Sequence, residues 1–392
     1  MIPDLRENYN REFSAETYNK FMGELNSILR YPVDFRVSET PLFLSEEMND
    51  KLLLACNDIV LQLSSPEFKR ASEGAIPGNF KVPGESDHPE FFQIDFAICK
   101  NEDGGYFPKL IELQGFPTIY AYQYFFTRLL KKYFQIPDNF TTYYSNFDED
   151  GYIKIFKEVI LADSSPENVI LLEITPGKQK TRIDFAATEE LTGISTVCIS
   201  DIIQRRDKLF YKKNGKEIPV ERIYNRVIFD DLKRNNINYK FDFKSDLNVK
   251  WVAHPNWFFK ISKYSLPLLK GEFVPSCFFL DELNKYPADL ENYVLKPLFS
   301  FAGKGVEIDL NKKILDEIEN PGNYILQQKI NYAPLVKTPD EYSKVEIRMM
   351  FIWIDKPILV NNLIRMSKGK MMGVDYNKNK TWVGSSSAFH AK

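Results

Sequence analysis

The chain has 392 residues, a length that suggests two or three folding units at about 150 residues each. Apolar residues make up 44% and charged residues 27%, with 31 Phe and 21 Tyr, a mix that excludes wholesale disorder and can fill large cores. The 51 Lys and Arg against 54 Asp and Glu leave a net charge of −3, which argues against a broadly basic nucleic-acid binder and a polyacidic tail protein.

The opening MIPDLRENYNREF carries acids and no apolar run, so it does not read as a secretory signal. No stretch of about 18 apolar residues offers a membrane span, so no membrane is expected as a partner, and the near-neutral charge balance leaves no nucleic acid expected either. Cys56, Cys99, Cys198 and Cys277 lie far apart and form no CxxC pair, which fits a reducing cytoplasm better than structural zinc or a disulfide scaffold. His88, His254 and His390 are too scattered for a histidine metal site.

Apolar residues at helical spacing predict helices over 11–30 (Phe13, Tyr18, Phe21, Leu25, Leu29) and 46–63 (Met48, Leu52, Cys56, Ile59, Leu63). A Pro-, Gly- and Ser-rich loop spans 64–89. A strand pair follows, 91–99 and 107–114, around Asp103-Gly104, and then a helix over 119–133. From about 150 the texture changes: strand 168–174, helix 181–193 ending at Gly193, and strand 195–201 give a β-α-β order and a small parallel sheet. Asn214-Gly215 predicts a two-residue hairpin turn, and 221–229 a further strand. The basic cluster Arg205, Arg206, Lys208, Lys212 and Lys213 reads as a solvated face. An aromatic-rich helix is expected over 256–269, with Lys260 and Lys263 as snorkelling surface residues. Two strands, ENYVLKPL and KGVEIDL, flank the loop FSFAG; the segment KKILDEIEN is helical and NYILQQKI a strand. VEIRMMFIWI and ILVNNLIRMS form a long hairpin around Asp355-Lys356-Pro357. No internal repeat or low-complexity tract is present.

Two places carry chemistry. In FFQIDFAIC, strand alternation puts Gln93 and Asp95 on one face and Phe92, Ile94, Phe96 and Ile98 on the other. A two-residue turn at Asp103-Gly104, or a bulge at Gly105, sets the register; the former puts Asp95 opposite Glu112 and Gln93 opposite Gln114. Facing carboxylates repel, so either a hard cation such as Mg²⁺ lies between them or both face water. In VLKPLFSFAGKGV, Lys296 ends a strand before Ala302, Gly303, Lys304 and Gly305, whose small residues let a backbone approach a phosphate. Neither a P-loop nor a Rossmann fingerprint fits the spacing. In the last hairpin Glu346 and Arg348 share a face and Arg365 lies on the returning strand. Arginines within apolar strands need partners, either Glu346 or an anionic ligand.

Taken in order, these segments resemble the glutathionylspermidine synthetases and eukaryotic-type glutathione synthetases. IDFAICKNEDGGYFPKLIELQGFP is similar to their magnesium-ligand segment, KYSLPLLKG to the first nucleotide lysine, VLKPLFSFAGKGV to the second lysine and lid loop, and YILQQKI to the strand beside the adenine. NNLIRMSKGKMMGVDYNKNKTWVGSSSAFH is similar to the closing strand and loop. The resemblance spans roughly 91–392. It implies an α+β or α/β, circularly permuted ATP-grasp-like fold with mixed sheets and a small parallel β-α-β substrate subdomain. It further implies a carboxylate–amine ligase that uses ATP and Mg²⁺ through an acyl-phosphate, with peptide- or polyamine-type substrates; the oligomeric state stays open. Carried over, Asp95, Glu112 and Gln114 match metal positions, and Lys263 and Lys296 match phosphate lysines. Gly303, Lys304 and Gly305 match the lid, Gln327, Gln328 and Lys329 the adenine side, and Arg365 the late active-site arginine. The implied division is 1–150 (helices and metal hairpin), 151–250 (substrate subdomain), 251–340 (nucleotide lid region) and 341–392 (closing hairpin). Three positions depart from the family: Gln93 replaces an arginine near the γ-phosphate, Gln114 an asparagine, and Ala302 a glutamate. Gln93 is expected to point into the site. Nucleotide binding is thus better supported than turnover, and a nucleotide-binding protein with a degenerate site is the alternative.

Overall fold

The computed structural model describes residues 1–234, 237–299 and 305–392. Ala302, Gly303 and Lys304, expected from the sequence to belong to a lid loop, lie outside the described residues. The architecture is mixed α+β with several sheets. Among the described residues no helix is long and apolar enough to cross a membrane, and the four cysteines are free thiols.

The central sheet is antiparallel and five-stranded, in the order Gly384–Ser386, Pro357–Ser367, Lys344–Trp353, Phe91–Lys100, Tyr106–Gln114. Its strands come from two distant parts of the chain. One face is apolar: Phe92, Ile94, Phe96, Ile347, Met349 and Ile364 share a core with Leu52, Cys56 and Ile59 of the helix Glu46–Leu63. Phe92 stacks on Phe351 at 4.6 Å between ring centres. On the other face, Phe91, Met350 and Leu363 pack with the helix Tyr120–Tyr133, and the rest of that face carries the charged residues.

Asp95 pairs with Glu112 and Gln93 with Gln114. The route to that register differs from the expectation. The connection is a longer loop, 101–105, closed by the Asn101 amide on the Gly105 carbonyl at 2.7 Å. Beyond it Phe96 pairs with Leu110, so the extra residue is Ile111, and this bulge restores the acidic pairing.

A second sheet is fully parallel, in the order Lys250–Val252, Arg222–Asn225, Val169–Glu173, Ser195–Cys198. The helix Arg182–Thr192 makes the crossover and ends on Gly193 at φ 77°. The expected strand 221–229 stops at Asn225, whose side chain accepts the Val227 amide and turns the backbone. Asn214 and Gly215 (φ 50° and 78°) join Lys208–Lys213 to Lys216–Val220 in a primed hairpin turn.

Three expected elements come out differently. The 11–30 helix is two helices, Pro3–Glu12 and Ala15–Leu25, because Ser14 caps the second by accepting the Thr17 amide. The aromatic helix over 256–269 breaks into Pro255–Lys260 and a 3₁₀ turn, Lys263–Leu268. Ser262 and Ser265 cap that turn reciprocally, and Pro267 lies within it. Among its described residues KGVEIDL supplies one bridge, Leu295 to Glu307, and then turns off as the Glu307 carboxylate accepts the amides of Ile308 and Asp309.

A small antiparallel sheet, Cys277–Phe279, Tyr324–Gln328 and Tyr293–Pro297, holds Lys296 and Gln327. A further strand, Ala388–Ala391, runs between Leu42–Phe43 and Phe140–Thr141.

Candidate anion-binding site

The charged part of the central face is assembled by register. Asp95 stands between Glu112 and Arg348 on neighbouring strands, and Glu346 stands opposite Arg365. Asp95 is 2% exposed. Arg348 grips it with two parallel bonds, Nε to Oδ1 at 2.7 Å and Nη2 to Oδ2 at 2.6 Å. This fork-on-fork geometry is the strongest form of the pair. Arg365 meets Glu346 at 2.5 Å and stands 3.9 Å from Asp95, with 42% of its side chain exposed. Tyr332 donates its hydroxyl to the other oxygen of Glu346.

The lysines arrive from outside this sheet. Gly115, just past the Glu112 strand, donates its amide to the Ile261 carbonyl at 2.6 Å. A Cβ at position 115 would sit 2.2 Å from the Trp257 carbonyl oxygen, so this contact requires glycine. The contact docks the 3₁₀ turn beside the sheet and brings the Lys263 ammonium to 3.8 Å from Glu112. Lys296 comes from the small sheet, where it pairs with Ile325. Burial pushes both lysines below the ordinary ammonium range, and Glu112 opposes the shift in each. Lys263 further lowers Lys296, while Glu346 raises it, so Lys296 feels the other three groups. The Arg365 guanidinium is held more firmly protonated, chiefly by Glu346 and then by Asp95 and Glu112.

The other expected residues divide. Gln327 is fully buried, and neither its amide nitrogen nor its oxygen has a hydrogen-bond partner among the described residues. Gln328 is exposed and accepts the Ser276 amide at 3.4 Å. Lys329 turns away and donates to the Glu291 carbonyl. Gln114 is half-buried beside Gln93. Gly305 lies outside any strand at φ 75°, where a Cβ would meet the Pro297 ring at 2.9 Å.

Gln93 shares the face of Asp95 but does not open into the site. It is fully buried, its amide nitrogen 3.3 Å from the Thr118 carbonyl and its oxygen 3.5 Å from the Thr118 hydroxyl. Lys260 is not a snorkelling surface residue either: it is buried between Glu73 and Glu85 and lies over the Trp257 ring. Of the residues expected to hold magnesium, Asp95 has both oxygens bonded to Arg348 and Glu112 faces Lys263, so as they stand they do not present an open carboxylate pair to an ion. Among the described residues no group of three or more Asp, Glu, His or Cys could hold a metal ion.

A second buried pair escaped the sequence reading. Arg226 bonds Asp184 at 3.0 Å, both nearly inaccessible, and its guanidinium lies between the rings of Phe116 and Phe185. Asp184 also accepts the amides of Ile119 and Tyr122. Polar contacts thus run from Gln93 through the Thr118–Ile119 turn to the carboxyl ends of the parallel strands, where ligands of open α/β sheets bind. A cavity of about 960 Å³ lies elsewhere, lined by Cys56, Tyr144, Phe351 and His390, and shares none of the charged residues.

No family model matches this chain, and neither does any curated protein. Among solved structures it is similar to a glutathione synthetase-like effector from Globodera pallida, with a TM-score of 0.57 and 11% identity. The match covers 90% of this chain and 94% of the effector. At that identity the likeness concerns the fold alone.

Proposed function

We propose that this chain, which shares the fold of a glutathione synthetase-like protein, is an ATP-dependent carboxylate–amine ligase of the circularly permuted ATP-grasp type. One observation carries the reading: Lys263 and Lys296, from separate segments, converge with Arg365 on the polar end of the central sheet. In this reading the two lysines neutralise the phosphates of ATP. Gln327, buried and without a hydrogen-bond partner among the described residues, supplies the hydrogen bonds that a purine edge requires. A substrate carboxylate attacks the γ-phosphorus, ADP leaves, and an amine then displaces phosphate from the acyl-phosphate. Arg365, exposed and firmly cationic, faces the charge that develops on the transferring group. The small-molecule carboxylate and amine enter beside the carboxyl ends of the parallel strands. The carboxylates do not fit magnesium as they stand, since Asp95 is held by Arg348 and Glu112 faces Lys263.

The second reading, a nucleotide-binding protein without turnover, is favoured by the Asp95–Arg348 pair itself, which occupies the carboxylate that a metal would need. ADP release with ATP across a panel of amino acids, short peptides and polyamines separates the two. Release dependent on one acceptor pair supports the ligase; nucleotide binding without release supports the second reading. In either case Lys296→Ala should weaken ATP binding by about tenfold or more, roughly 1.4 kcal/mol by calorimetry. Unchanged affinity in the Lys263→Ala/Lys296→Ala protein, with the fold intact, would sink both.

A further inference from the structure

We infer that Arg348 stands where a metal ion is expected, so that this site takes a polyphosphate anion without a divalent cation. The inference rests on the nucleotide reading above and adds how the charge is balanced. The two carboxylate oxygens of Asp95 are the natural ligands for a hard cation, and both are consumed by a planar guanidinium at 2.7 and 2.6 Å. The pair is nearly inaccessible, with side-chain exposures of 10% for Arg348 and 2% for Asp95. A metal at Asp95 would have to expel a buried, bidentate arginine into a site already rich in cations. The neighbouring carboxylates are engaged too: Glu346 by Arg365 and Tyr332, Glu112 by Lys263. Around Asp95, among the described residues, three carboxylates (Asp95, Glu112, Glu346) meet four cations (Arg348, Arg365, Lys263, Lys296). The acids are therefore compensated before any ion enters, and the surplus is positive, which suits an anion arriving bare. Arg348 acts through Asp95 and is a positioning residue.

Calorimetry on the intact protein tests this with two probes, ATP and inorganic triphosphate, each in EDTA and in excess Mg²⁺. ATP affinity in EDTA within about threefold of that in Mg²⁺ is expected. Binding at least about tenfold tighter in Mg²⁺ overturns the inference and leaves the nucleotide reading standing. Inorganic triphosphate bound in EDTA while ATP is not would uphold the inference and end the nucleotide reading. If neither probe binds in either buffer, both fall. Electron paramagnetic resonance of Mn²⁺ with the ligand-free protein gives an independent readout: no protein-held ion is expected, and one tightly held ion overturns the proposal. Arg348→Gln frees Asp95 and should confer a new requirement, with ATP affinity falling about fivefold or more in EDTA and recovering in Mg²⁺. Equal loss in both buffers would mark Arg348 as merely structural and overturn the proposal. Should that variant not fold, the measurements on the unaltered protein decide.

Discussion

Gln327 is the residue at which stability and binding pull apart. A fully buried amide with no partner among the described residues leaves desolvation uncompensated, at about 1–3 kcal/mol. Gln327→Leu keeps similar bulk and removes that penalty. The ligand-free protein should therefore gain about 1 kcal/mol in urea unfolding while ATP affinity drops about tenfold. A variant that loses stability, or binds ATP as before, would show that the amide does not wait for a ligand. Asp184 behaves oppositely. Its removal strands Arg226 among the Phe116 and Phe185 rings, so Asp184→Ala should cost about 3–5 kcal/mol in denaturant unfolding. A loss below about 1 kcal/mol would contradict the buried-pair assignment.

At the scale of elements, the carboxyl end of the Val169–Glu173 strand carries a pH dependence. Burial pushes the Glu173 carboxyl up to about 8, with the nearby Arg226 opposing it. A carboxyl raised by folding favours the fold fully below its ordinary range, and that contribution is lost as pH rises toward the folded value. Stability should thus decline between about pH 5 and 8, by up to roughly 1.4 kcal/mol per pH unit from this group. Glu90, pushed up to about 7 by burial, adds to the same slope, so the diagnostic quantity is the difference between parent and variant. Glu173→Gln should flatten the profile; an unchanged slope would show that Glu173 is not the titrating group. Elements are also the scale at which the sequence was most readable. The helix Glu46–Leu63 and the Asn214-Gly215 turn were legible because periodicity and turn chemistry are local. The Asp95–Glu112 pairing was legible despite a wrong turn length, because the Ile111 bulge offset the longer loop. The partner of Arg348 was not, since alternation showed only that an arginine lay in an apolar strand, and Asp95 is 253 positions away. Nor was the burial of Gln93, which depends on Thr118 reaching back from another segment.

The whole molecule is closed by its final strands. Gly384–Ser386 extends the central sheet, and Ala388–Ala391 fills the gap between Leu42–Phe43 and Phe140–Thr141. Asn362 fastens that last strand from the sheet, its side chain bonding both the amide and the carbonyl of Ala388. Removing residues 384–392 should open both sheets at once and give a protein that lacks a cooperative melting transition. A truncated chain that still melts cooperatively near the parent temperature would show that these strands are dispensable. The two-part origin of the central sheet has a consequence for biogenesis. Strands 91–100 and 106–114 leave the ribosome early, yet their neighbour 344–353 is made more than two hundred residues later. At about 5–20 residues per second the nascent hairpin waits on the order of ten seconds or more, with Asp95 lacking its counter-ion and one strand edge open. The intervening parallel sheet, whose strands lie within 169–252, can assemble during that wait. Closure of the central sheet is then the late, non-local and slow event of folding, and the interval before it is when the chain depends most on chaperones.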